Sequence, residues 1–333
     1  MEKQPFVKNK WIKVIFYVVV ACALLAYPFI ISGYFVRFMT TIFMFAALAQ
    51  VWNIMGGFAG YISLGIVGFV GVGAYGTGIL LHMDINFYVA LLLIALLAAV
   101  IALLIGLPIL RLKSGYFSIA TFAVAFVLRE LSNNWTWLTG GGMGFRFPIR
   151  SGHIDGINMF FYMNMLGILL IVTVLCFIIS RASLGYGLMA IKEDEDAANV
   201  LGINTTSFKV TGFVISGFFA AIIGGIYGNW LAFIDPISAF DTNLSVMVII
   251  MAMVGGAGTV LGPLVGAVVI SIISEVLWNN FLMFHQLVLG VILILIVIFM
   301  PKGIMDVFLF REEKLTFRYF LRICKENVSK YRV

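Results

Sequence analysis

Charge is what this sequence has least of. Lys, Arg, Asp and Glu make up 11% of its 333 residues, with only 15 acids, while 62% of positions are hydrophobic and mean hydropathy is +1.11. Soluble domains carry about a quarter of their residues as charges, so a soluble protein is excluded. Cysteine is equally thin. Cys22, Cys176 and Cys324 are far apart, none forms a metal-like pair, and two fall inside apolar runs; no disulfide framework follows. His82, His153 and His285 have no second histidine or carboxylate at helical ligand spacing, so neither a metal nor another cofactor is expected. No Ser/His or His/Asp/Glu cluster supports a membrane-embedded enzyme.

What is present is a succession of long apolar runs. Crossing a bilayer takes roughly 20 apolar residues, and about ten such segments can be placed: 11–32, 35–55, 59–81, 87–110, 115–131, 160–180, 209–231, 243–261, 263–281 and 284–300. The expected fold is all-α, a polytopic membrane helix bundle. Residues 1–10 form a short cytoplasmic lead, 11–303 the transmembrane domain, and 304–333 a basic cytoplasmic tail. The first run follows Lys3, Lys8, Lys10 and Lys13 and lacks a small-residue cleavage site, so it reads as a retained anchor rather than a signal peptide. Two spans are weak. The run 115–131 is short and ends at Arg129 and Glu130, and 59–81 is rich enough in glycine to be broken or re-entrant.

An even number of spans with a cytoplasmic N-terminus returns the C-terminus to the cytoplasm. Seventeen of the 21 Lys and Arg then lie inside, and only Arg37, Arg129, Arg146 and Arg150 fall outside. Positive residues favour the cytoplasmic side, which supports this orientation and accounts for the net charge of +6 without a nucleic-acid partner.

The longest polar interruption with a charge cluster runs from Ser183 to Phe208, within the cytoplasmic loop 181–208. Four consecutive acids, Glu193, Asp194, Glu195 and Asp196, precede Ala197, Ala198 and Leu201, whose spacing puts them on one helical face before Gly202. Acids suit a helix start and glycine the position past its end, so a short capped helix is expected.

Two glycine-rich passages, GGFAGYISLG from Gly56 and GGAGTVLG from Gly255, align after small gaps. Such a pattern fits a transporter of two related halves, with the pathway near their interface. It equally fits close helix packing, since Gly258, Gly262 and Gly266 recur every four residues. Polar groups at membrane depth face a protein interior or a wet path. Asn53 and Ser63 are the pathway candidates of the first half, whereas Thr77 is expected to bond a carbonyl one turn back. Glu275 is the one carboxylate well inside a late span, either functional or a hydrogen-bonded structural acid. The outer loop 132–159 contains Trp135, Trp137 and the run Thr139, Gly140, Gly141, Gly142. No Lys-Ser/Thr follows the glycines, so this is no phosphate loop; it is a tight turn or a docking surface for an external partner.

Several blocks, in order along most of the chain, resemble the LivM-like permease subunits of branched-chain amino-acid ABC importers. They are GYISLGIVGFVGVGAYGTGIL at Gly60–Leu80, LKSGYFSIATFA at Leu112–Ala123, LTGGGMG at Leu138–Gly144, LGYGLMAIKEDEDAANVLGIN at Leu184–Asn204, GGAGTVLGPLVGA at Gly255–Ala267 and MPKGI at Met300–Ile304. Asp196, Ala197, Ala198 and Gly202 keep the spacing of that family's Glu-Ala-Ala coupling segment, with Asp for the first Glu. The resemblance implies that this helix docks on an ATP-binding subunit. It also implies two such subunits, a second LivH-like permease, an extracytoplasmic solute-binding protein delivering a small-molecule substrate, and a multi-pass location in a prokaryotic cell membrane. Hydrolysis would then belong to other chains, and transport would proceed by alternating access. The same family pattern embraces permeases for urea or short amides. A stand-alone channel or secondary transporter, with Glu275 as its coupling group, is the reading from a different class.

Overall fold

The computed structural model describes residues 24–29, 31, 33–148, 153–280, 287, 290–291 and 303–305. After a helical stretch at 24–29, the chain forms α1 (Tyr34–Asn53), a π-helical turn (Ile54–Phe58), α2 (Ile66–His82), α3 (Phe87–Ile109), α4 (Ser114–Asn134) and a single turn, α5 (Thr136–Thr139). It continues through α6 (Ile154–Arg181), α7 (Ser183–Glu193), α8 (Glu195–Val200), α9 (Thr205–Leu231), a short α10 (Pro236–Ala239), α11 (Thr242–Gly255) and α12 (Gly262–Asn280). Among the described residues seven helices are long and apolar enough to cross a membrane, by length and composition; α2, with 17 residues, is shorter. The expected spans 11–32 and 284–300 and the tail 304–333 lie largely or wholly outside the described residues.

The all-α expectation holds apart from one two-residue antiparallel pairing, β1 (Phe145–Arg146) with β2 (Phe233–Ile234). The glycine-rich run expected at 59–81 starts late rather than breaking: residues 59–65 are not helical, and one continuous helix then runs from Ile66 to His82. Conversely, the weak run 115–131 extends to a full 21 residues.

Small residues decide how closely the helices approach. On α3, Ala90, Ile94, Ala98, Ala102 and Gly106 recur every four residues and are buried, while Leu92, Leu93, Leu96, Leu103 and Leu104 are exposed. That is a helix with a small-residue stripe inward and a leucine face for lipid. At the crossing of α2 and α9 the backbones meet: a Cβ on Gly73 would come within 2.0 Å of the Ala221 carbonyl, and one on Gly224 within 2.1 Å of that of Val70. Thr77 does not bond back along its helix as expected. It is buried facing Gly225, whose added Cβ would lie 2.3 Å from the Thr77 Oγ1, and that oxygen has no hydrogen-bond partner among the described residues.

The helices give the bundle two ends. The Ser114 hydroxyl opening α4 donates to the Gly60 carbonyl at 3.0 Å, and Gly60 lies against Lys192 of α7. Helices α7 and α8, the π-helical turn and the starts of α4, α9 and α12 therefore share one end. Tyr34, Asn134 and Trp230 lie at the other.

Candidate functional site

The polar interruption is two helices, not one. α7 ends at Glu193, and the chain re-initiates at Asp194, whose extended backbone lets its side chain accept the Ala197 N–H at 2.9 Å. Glu193 thus closes the first helix rather than starting the second. Glu195 and Asp196 occupy the first turn of α8, where carboxylates suit the positive end of the helix. The stop is as expected. Gly202 adopts φ +85°, its N–H bonds to the Asn199 carbonyl at 3.0 Å, and the Ile203 N–H reaches back to Ala198 at 3.0 Å. This glycine-terminated closure satisfies the last carbonyls.

The apolar residues of α8 divide. Ala198 is 1% exposed and packs inward with Ile203, whereas Ala197 and Leu201 face outward, Leu201 at 81% exposure. Ala198 is therefore an anchor to the bundle, not part of an outer docking face. The sequence reading missed Val200, which at 87% exposure joins Leu201 in a protruding apolar tip.

Beneath α8 lies a buried cation. Lys209, 2% exposed on α9, donates to Glu195 at 2.5 Å and to the Tyr61 hydroxyl at 3.2 Å, while Tyr61 itself donates to the other oxygen of Glu195. Partial burial of Glu195 raises its carboxyl, but the bonds from Lys209 and Tyr61 outweigh this and hold it below its ordinary value. Glu195 is thus a tether, not part of a free acidic rim. A lysine opening an apolar run was the available signal.

The two glycine passages touch. Asn53, fully buried, accepts the Gly258 N–H at 2.7 Å and donates to the Thr259 carbonyl at 2.9 Å, and Gln50 donates to Val260 at 2.5 Å. Lys192, from α7, donates to the Gly57 carbonyl at 3.0 Å. Asn53 was expected on a pathway; its amide is committed at both ends to backbone, so it is a clamp. Ser63 accepts the Trp52 indole N–H on its carbonyl at 2.9 Å. It lines a cavity of about 10 Å³ beside Met55 and Ser216, room for roughly one water.

At the opposite end, Thr139 is buried with its hydroxyl 2.5 Å from the Ser132 carbonyl and 2.9 Å from that of Trp135, and it accepts the Gly141 N–H at 3.3 Å. Gly140 and Gly141 adopt φ +75° and +59°, and a Cβ on Gly142 would press on Asn133 Oδ1 at 3.0 Å. The triplet forms a tight turn. What this turn presents is Trp137 and Met143, both exposed. Glu275, on α12, accepts from Tyr34 and, at 3.4 Å, from Asn279. It lines a cavity of about 450 Å³ shared with Arg37, Ser271 and Trp230. The structure therefore separates the candidates: the acids of α8 join the glycine clamp at one end, while Glu275 and the 139–142 turn lie toward the other.

The model of the family described as the branched-chain amino acid transport system, permease component, matches residues 34–299. The chain belongs to this permease family. It is 30% identical over 308 residues to the high-affinity branched-chain amino acid transport system permease protein LivM of Salmonella typhimurium, covering 84% of this chain and 72% of that protein. To LivM of Escherichia coli it is 29% identical, covering 87% and 74%. Its likeness to the E. coli permease protein LivH, 30% identical, covers 38% of this chain and 41% of that one. No solved structure matches. Membership of this ABC permease family and the seven long apolar helices make the chain a multi-pass membrane protein, and its relatives are permeases rather than enzymes.

Proposed function

We propose that the chain is a permease subunit of an importer for branched-chain, hydrophobic amino acids. It sits in a prokaryotic cytoplasmic membrane with both termini inside, alongside a second LivH-like permease. Two ATP-binding subunits drive it, and an extracytoplasmic binding protein loads it at the turn presenting Trp137 and Met143. The observation that carries the reading is the mounting of α8. Its protruding Val200 and Leu201 form an apolar tip, while the Glu195–Lys209 pair ties it to α9, Ala198 packs into the bundle, and Asp194 and Gly202 close its two ends. A tip that is exposed yet tethered suits a groove on a motor subunit: closure of the ATPase pair then displaces α9 through Lys209 and the glycine clamp through Lys192. The pathway alternates its open side, and a ligand biases that equilibrium only by unequal affinity for the two states.

The test is co-purification. ATP-binding subunits should remain with the wild-type chain and be lost with Val200→Asp combined with Leu201→Asp, or with Gly202→Pro, while the chain itself still inserts. Full transport by the isolated chain, without ATP or partners, overturns the reading in favour of a channel or secondary transporter.

A further inference from the structure

We propose that the cavity between α1, α9, α11 and α12 is a transit site for a zwitterionic α-amino acid, with Arg37 receiving the carboxylate and Glu275 the ammonium. The proposal rests on the importer reading above and names the residues that would meet the substrate's two charges. The cavity encloses about 450 Å³, within the range of small-molecule sites.

Both charges line this one space, yet they do not neutralise each other. Among the described residues the ion pairs are Arg129–Glu130 and Lys209–Glu195, and neither involves Arg37 or Glu275. The Arg37 guanidinium lies 6.0 Å from the Trp230 ring centroid, a contact that occupies none of its N–H donors with an acceptor oxygen. Glu275 accepts from Tyr34 and Asn279, both uncharged. Arg37 is exposed and Glu275 half-buried, so a ligand entering this cleft can reach both charges.

Ser271 is 6% exposed, lies halfway along α12 and lines the cavity, and its hydroxyl has no hydrogen-bond partner among the described residues. Its oxygen is not exposed at the cavity surface, so Ser271 contributes only wall to the site.

The rest of the wall is apolar, with Phe45, Met247 and Met251 beside Trp230. Opposite charges beside an aromatic and thioether wall match a neutral amino acid with an apolar side chain. Urea, amides and sugars present neither charge. A simple carboxylic acid would satisfy Arg37 but set a second carboxylate near Glu275.

The experiment uses the chain purified with its partner subunits, in proteoliposomes given ATP, the binding protein and labelled leucine. Arg37→Gln and Glu275→Gln should each lower uptake about tenfold, the scale of one lost charge-assisted hydrogen bond, while Arg37→Lys and Glu275→Asp retain most of it. A second measurement needs no charge removal. In Ser274→Cys, another residue of the lining, modification by a charged thiol reagent should be slowed by leucine but not by equal leucinamide or isocaproate, without binding protein. Wild-type uptake retained by both Gln variants, or a labelling rate that leucine leaves unchanged or that all three compounds slow equally, overturns this site alone. Absence of leucine uptake by the wild-type assembly overturns the importer reading with it.

Discussion

Asn53 grips the second glycine passage at Gly258: its Oδ1 takes the Gly258 N–H at 2.7 Å while its Nδ2 gives to the adjoining Thr259 carbonyl at 2.9 Å. The residues are 205 positions apart, so this one amide joins the end of α1 to the loop before α12. Asn53→Ala leaves the partly buried Gly258 N–H and Thr259 carbonyl unpaired, each worth about 1 kcal/mol. We expect a clear drop in the thermal midpoint of the detergent-purified chain. Asn53→Asp, which keeps the acceptor for Gly258, should lose less; an equal loss would show that the donor half matters most.

Glycine at the crossing of α2 and α9 is a packing requirement. A Cβ on Gly73 or Gly224 would lie about 2 Å from a backbone carbonyl, and backbone cannot give way as a flexible side chain can. Gly73→Ala or Gly224→Ala should therefore separate the two helices and abolish recovery of monodisperse protein. Gly167, inside α6, has nothing within 4 Å of its Cβ position. Gly167→Ala should stabilise by about 0.5–1 kcal/mol, the helix-propensity gain. Size-exclusion profiles and thermal melts of the three variants decide the matter.

Much of this was legible in the sequence because membrane helices announce themselves by length. The ends of Phe87–Ile109 fall within a residue of the expected 87–110. The helix stop at Gly202 was also readable, since an acid-rich start and a terminal glycine have local causes. What sequence could not supply was the partner of each polar group. Asn53 reads as a pathway residue until Gly258 arrives from 205 positions away, and Glu195 reads as part of an acidic rim until Lys209 lies beneath it. Ala198 and Leu201 share a helical face by spacing, yet α8 is so short that one turns inward and the other outward.

The Glu195–Lys209 pair should show strong coupling in a double-mutant cycle. Glu195→Gln leaves a buried lysine without its counter-charge, and Lys209→Met leaves a carboxylate without its cation. Breaking fully buried pairs costs about 3–5 kcal/mol; Glu195 is 30% exposed, so roughly 1–3 kcal/mol is expected for each single change after solvent screening. The double change should be milder than the sum, because Met and Gln leave no unpaired charge. Additive losses would mean that the pair does not hold α8.

The same pair sets the pH response of the tether. Folding holds the Glu195 carboxyl below its ordinary value, so the unfolded or undocked form binds a proton more readily than the docked form. The stabilisation is therefore complete above the ordinary carboxylate pKa, about 4.3, and is lost as pH falls through the lowered value. Between pH 6 and 8 the mounting of α8 should not change. Hydrogen exchange at Ala198, Asn199 and Ile203, whose amides close or follow α8, reads this directly. Protection should be flat through neutrality and fall on the acid side of the ordinary carboxylate range. In Glu195→Gln that acid-side fall should vanish, with protection already low at neutral pH. A fall in protection centred near pH 6.5 would assign the tether to another titrating group and sink this account.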